Sequence, residues 1–68
     1  MVNTQKLIER MKELGISQQQ LADICSVKRP TINQKLHGVR PISLSEAQII
    51  QKVLDIPENE FGAYFFSS

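Results

Sequence analysis

The sequence predicts an all-α domain built from five short helices, and three observations carry that prediction. No stretch alternates apolar and polar residues for long enough to make a strand. Serine stands three residues ahead of glutamine or glutamate at Ser17/Gln20 and again at Ser43/Glu46, the spacing of a reciprocal helix N-cap. Gly15, Pro30, Gly38, Pro41 and Pro57 punctuate the rest, leaving only short connections between periodic segments.

The first helix is expected to begin near Asn3 or Thr4, both good N-caps, with Leu7, Ile8, Met11 and Leu14 inward and Gly15 closing it. Ser17 and Gln20 open the second, with Leu21, Ala22, Ile24 and Cys25 on its inner side. Ser26 and Val27 then break the pattern. Pro30 suits the first turn of a third helix opening near Arg29, because its missing N–H would have no intrahelical acceptor there. Ile32 and Leu36, four residues apart, face its core, and Gly38 supplies a left-handed stop. Val39–Ile42 reads as a loop. Ser43 and Glu46 start the fourth helix, with Leu44, Ala47, Ile50, Val53 and Leu54 inward. A fifth begins at Pro57, where Glu58 and Glu60 complement the helix dipole and Phe61, Tyr64 and Phe65 carry the apolar face. Those rings and Phe66 cannot all fit beneath one short helix; two or three close the core, and a residue such as Phe66 is available to a dimer seam.

Length and composition exclude several functions. A chain of 68 residues buries only about 60% of its unfolded surface, so one domain over residues 1–68 is expected, without a deep catalytic cleft. No nucleophile–base pair or phosphate-binding glycine loop is visible, and the expected answer is not an enzyme. Cys25 is the only cysteine and His37 the only histidine, so neither a disulfide framework nor a Cys/His metal site can be assembled; no cofactor, metal or small-molecule ligand is expected. On the inner side of its helix, Cys25 reads as a buried structural thiol rather than a redox sensor. The longest apolar run, Ala63–Phe66, is far below the ~18 residues of a membrane span. With no signal-peptide core at the start, a soluble protein of the reducing cytoplasm is expected.

A net charge of +1 hides a segregation. Residues 1–23 are balanced, residues 24–45 carry Lys28, Arg29, Lys35 and Arg40 with no acid, and residues 46–68 net −3. A local cationic surface attracts polyanions even on a nearly neutral protein, because charges within a Debye length of ~8 Å set the field. The basic third coincides with two short helices separated by a tight turn, the helix-turn-helix arrangement. With Ile32 inward, Pro30, Asn33, Gln34 and His37 point outward and Lys28 and Arg29 sit at the tip. Arginine can bond guanine O6 and N7 together, and asparagine or glutamine can do the same to adenine N6 and N7. The plainer reading is the polar solvent face that any amphipathic helix carries.

Residues 15–38 add a resemblance. Gly15-Ile16-Ser17-Gln18, then Leu21-Ala22, Val27, Thr31-Ile32 and a closing His37-Gly38 resemble the helix-turn-helix of the Cro/C1-type (XRE) family of DNA-binding regulators. The pattern is roughly G-[IL]-[ST]-Q-x-x-L-A-x-x-[IL]-G-V-S-x-x-[ST]-I. Arg40–Ala47 and the ending Tyr64-Phe65-Phe66 resemble small phage-encoded members, and the likeness spans residues 5–66. It implies a compact five-helix, lambda-repressor-like domain with helices 2 and 3 as the helix-turn-helix. Three positions depart: Ser26 where the turn usually has glycine, Lys28 where a capping serine is common, and Lys35 in place of an apolar residue, its stem expected along the surface.

The resemblance implies a transcriptional regulator, a phage or prophage repressor or Cro-like protein, with its third helix in the major groove of double-stranded operator DNA. Arg29, Asn33 and Gln34 are then the base readers, with Pro30 able to touch a thymine methyl. Gln18 is expected on a backbone phosphate, as are Lys28, Thr31, His37 and Arg40, with the helix start at Ser43 and Leu44 offering N–H groups to one more. His37 also suits a plain dipole partner at a helix C-terminus. A homodimer reading two half-sites about 34 Å apart is expected. The competing reading is a protein-interaction module, an antitoxin or adaptor, on the same scaffold.

Overall fold

The computed structural model describes residues 2–66. Helix α1 (Thr4–Leu14) starts at Asn3, whose side chain accepts the Lys6 N–H at 3.1 Å. Helix α2 (Gln18–Ile24) and helix α4 (Leu44–Val53) each begin with a complete capping box, Ser17 with Gln20 and Ser43 with Glu46. Helix α3 (Arg29–Leu36) follows Lys28, which caps nothing, and has proline in its first turn. A 3₁₀ turn (Glu58–Glu60) leads into α5 (Phe61–Phe65), so the segment after Pro57 is two tight pieces rather than one helix. No strand occurs among the described residues.

Helices α1 to α4 end alike. A left-handed residue follows each, and two backbone bonds close the turn behind it, as Gly15→Lys12 with Ile16→Met11 and Gly38→Lys35 with Val39→Gln34 show. Glycine holds the left-handed position after α1 and α3, at φ 69° and 74°. Ser26 (φ 58°) and Asp55 (φ 51°) hold it after α2 and α4, where a side chain makes this backbone unfavourable. The turn at Ser26, where the family usually has glycine, is therefore the ordinary closing turn, made by a serine under strain.

Leu7, Leu21, Ile32, Leu36, Ile50 and Leu54 are fully buried, joined by Met11, Ala22, Ala47, Ile56, Tyr64 and Phe65. Helix α2 packs directly on α3, and α5 closes against α1. Ties distant in sequence lock this arrangement. The Asn3 N–H donates to the Tyr64 carbonyl at 2.8 Å, and the Lys6 ammonium lies 4.9 Å from the Tyr64 ring centre. Arg10 donates to the carbonyls of Leu54 (2.8 Å) and Asp55 (3.1 Å), satisfying the end of α4 from α1.

Several expected inward positions are corrected. Leu14, Ile24 and Leu44 are exposed, at 40%, 49% and 62%. Each sits at or next to a helix end, where the neighbouring element no longer covers the stripe. Cys25, Ile8 and Val53 are only half-buried, whereas Ile56, expected in a connection, is core. Lys35 does not run along the surface into water. Its ammonium meets the Glu46 carboxylate at 2.5 Å, with both side chains more than four-fifths buried.

Candidate nucleic-acid interface

The candidate interface begins with how α3 is held. Its inner side is Ile32 and Leu36, and the Leu36 carbonyl accepts the Thr4 hydroxyl from α1 at 2.5 Å. Lys35 is clamped to Glu46 on α4. The core, cap and ion-pair contacts of α3 are thus made by its inner and lateral sides. Lys28, Arg29, Pro30, Asn33 and His37 are exposed, and Thr31 and Gln34 half-buried.

Gln18, Arg29, Pro30, Asn33 and Gln34 line one shallow groove of about 360 Å³. It gathers the four base-reading candidates with Gln18 from the start of α2. Asn33 Nδ2 donates to Gln18 Oε1 at 3.1 Å, which orients both amides and leaves the Gln18 amino group and the Asn33 carbonyl oxygen available. The Ser17–Gln20 box orients the chain just before Gln18. Residue 18 in α2 and residue 33 in α3 come together because α2 lies on α3.

The remaining phosphate candidates are not among the residues that line this groove. The His37 ring uses Nδ1–H on the Asn33 carbonyl at 2.9 Å, the dipole-partner geometry. Its Nε2 then offers a donor only when the ring is doubly protonated. Arg40 is exposed in the loop after α3. Ser43 has both donors near its own helix: its N–H donates to Glu46 Oε1 at 3.0 Å, and its hydroxyl accepts the Glu46 N–H and contacts the Ser45 hydroxyl. Leu44 and Ser45 N–H are the groups without an intrahelical partner there. Ser43 also lines a different groove of about 530 Å³, beside α5, that holds none of the base-reading candidates.

Glu46 changes the charge of this region. Its carboxyl sits below the ordinary value of 4.5, held there first by the Lys35 hydrogen bond and then by the Ser43 N–H, against some desolvation. The fourfold positive count over residues 24–45 therefore overstates the surface, since Lys35 is neutralised. Lys28, Arg29 and Arg40 carry no ion pair among the described residues. Burial, and secondarily the Glu46 charge, raise the Cys25 thiol against an opposing effect of Lys35. Half-buried and kept protonated, it is a poor nucleophile. The described residues contain no cluster of three or more potential metal ligands and no helix long and apolar enough to cross a membrane.

Sequence reasoning missed Glu46 as a member of this region. Its capping-box spacing was legible, but its second partner lies eleven residues back across a loop. No curated protein and no solved structure gives a significant match to the chain. The helix-turn-helix family model matches residues 7–61, which takes in every helix from the buried face of α1 to the start of α5. Helices α2 and α3 with the Ser26–Lys28 turn between them occupy the middle of that match, and the chain belongs to the Cro/C1-type (XRE) helix-turn-helix family of DNA-binding regulators.

Proposed function

We propose that this chain is a sequence-specific regulator of the phage repressor or Cro-like kind, which lays α3 in the major groove of operator DNA. The observation that carries the reading is the Asn33–Gln18 hydrogen bond inside a groove that also holds Arg29, Pro30 and Gln34. One amide pair couples a candidate base contact to a candidate phosphate contact, so register on the backbone and reading of the bases are set together. Arg29, Asn33 and Gln34 read base edges, and Pro30 meets a thymine methyl. Gln18, Lys28, Thr31 and Arg40 meet phosphates, as does His37 when doubly protonated. At the start of α4 the free N–H groups of Leu44 and Ser45 serve, rather than Ser43 itself. Two copies bind two half-sites one helical turn apart, and regulation follows from occupying the site.

Selection of bound fragments from random duplex DNA, followed by titration at several salt concentrations, tests this. Lys28 and Arg40, with Arg29 adding to them, imply that log K falls against log salt with a slope of about −2 to −3 per bound copy. Arg29→Ala or Gln34→Ala relaxes sequence preference by ~1–3 kcal/mol, while Arg40→Ala weakens all sequences alike. A chain that enriches no sequence, or that binds a protein through α3 instead, overturns the reading in favour of an interaction module.

A further inference from the structure

We propose that Lys35 sets how tightly this chain holds duplex DNA without touching it, by cancelling the charge of Glu46 behind the binding face. Lys35 is then a positioning residue that acts through Glu46. The role rests on the DNA-binding function proposed above; the ion pair that carries it does not.

Glu46 is the only acid between Asp23 and Asp55, in the stretch that also holds Lys28, Arg29 and Arg40. Folding fixes its place, because Oε1 accepts the Ser43 N–H at 3.0 Å and closes the start of α4. That cap holds a negative charge in the turn whose free Leu44 and Ser45 N–H groups are assigned to a phosphate. Helix closure and polyanion binding thus make opposite demands on residue 46. Lys35 reconciles them. Its ammonium meets the other carboxylate oxygen, Oε2, at 2.5 Å, so cap and ion pair use separate oxygens. Lys35 directly follows Gln34, which lines the base-reading groove, and the Arg40 N–H donates to the Gln34 carbonyl at 3.2 Å. The pair therefore sits just behind the face that meets the duplex, where an uncancelled charge acts over ~10 Å in 0.1 M salt.

Two observations separate this role from a direct contact and from a plain brace. Both side chains are more than four-fifths buried, so the Lys35 ammonium is not presented to a ligand as Lys28 and Arg40 are. A buried ion pair can often be exchanged for uncharged residues without loss of stability, so stability alone gives no reason to keep two charges here. Lys35 and the Ser43 N–H hold the Glu46 carboxyl below its ordinary value, and it is a full anion at neutral pH. Removing Lys35 leaves that anion bare, removing Glu46 leaves a bare cation, and removing both restores neutrality.

Wild type, Lys35→Met, Glu46→Gln and the double variant are compared for binding to a random-sequence duplex of about 20 base pairs in about 50 mM salt. Circular dichroism at the binding temperature checks that each is folded. Lys35→Met should bind ~3–10-fold more weakly, Glu46→Gln ~3–10-fold more tightly, and the double variant within about twofold of wild type. The differences should shrink at about 200 mM salt, where charges are screened. Glu46→Gln is decisive, because it loses stability while gaining affinity, and a pair that only braces the fold cannot produce that combination. Binding by Glu46→Gln no tighter than wild type overturns the proposal. A double variant as weak as Lys35→Met also overturns it, since Lys35 would then meet phosphate or support α3 by itself. If Glu46→Gln does not fold, this second comparison decides alone. A wild type without affinity for any duplex overturns the DNA-binding function and this role with it, whereas wild-type binding with another order among the variants overturns this role only.

Discussion

Helices α3 and α4 follow one another in the chain and are secured by different means. Helix α4 closes its own start with Ser43 and Glu46, has an acid in its first turn and a lysine in its last, and receives Arg10 at its far end. Helix α3 has no side-chain cap and no acid in its first turn, and its burial, through Ile32 and Leu36, is no less than that of α4. It stays helical because α2 lies against it, Thr4 caps its last carbonyl and Lys35 grips Glu46. A helix held from behind keeps its front free for a ligand. The strained Ser26 and the uncapped Lys28 lie at the entrance to that front, where local stability is exchanged for a cation and a tight turn.

The largest break in this comparison is Leu36→Ala. It removes a fully buried side chain from a helix with little local support, and should cost ~2–5 kcal/mol. For a domain of this size, with about 3–10 kcal/mol in total, that approaches global unfolding in urea titration. Ser43→Ala, which takes away a local cap from the better-supported helix, should cost about 1 kcal/mol and leave a cooperative transition.

Second is the clamp between the two helices. Glu46→Gln keeps an acceptor for the Ser43 N–H but loses the charge that holds Lys35, and should cost ~1.5–3 kcal/mol at pH 7. Because the folded carboxyl titrates below its unfolded value, the pair's contribution is complete above about pH 5 and is lost as pH falls through the folded value. Wild type should therefore lose stability below about pH 4 more steeply than the variant, and the two curves should converge in acid. Parallel curves would mean that the clamp carries no net stability.

Two smaller changes sharpen the contrast by strengthening the weak side. Ser26→Gly relieves a left-handed serine and should stabilise by about 1 kcal/mol, raising the melting midpoint by ~4–8 °C. Lys28→Ser gives α3 the missing cap and should add roughly 0.5–1 kcal/mol. It also removes a cation, so DNA affinity should fall while stability rises, and the salt slope should flatten by about 1 per copy. A variant that gains both would show that Lys28 contributes nothing to polyanion binding.

Much of the fold was legible because helix boundaries are written locally. Ser17 with Gln20, Ser43 with Glu46, and the left-handed Gly15 and Gly38 are all set by hydrogen bonds within a few residues. The groups facing the candidate groove were legible too, since Ile32 and Leu36 fix the phase of α3. What could not be read was coverage at the helix ends: Leu14, Ile24 and Leu44 satisfy the periodicity, but no neighbouring helix reaches over them. Asp55 carries no turn signal as clear as glycine, so the left-handed end of α4 and the burial of Ile56 behind it passed unseen.

The chain alone therefore determines where helices start and stop, which side of each is apolar, and that the outer face of the third is cationic and amide-rich, since these depend on residues one to four positions apart. Tertiary packing decided the partners: Lys35 with Glu46, Arg10 with the end of α4, Asn33 with Gln18. Those pairs span 11, 44 and 15 residues. Which charge is neutralised and which amide is oriented depends on helices crossing in space, and no local rule encodes that geometry.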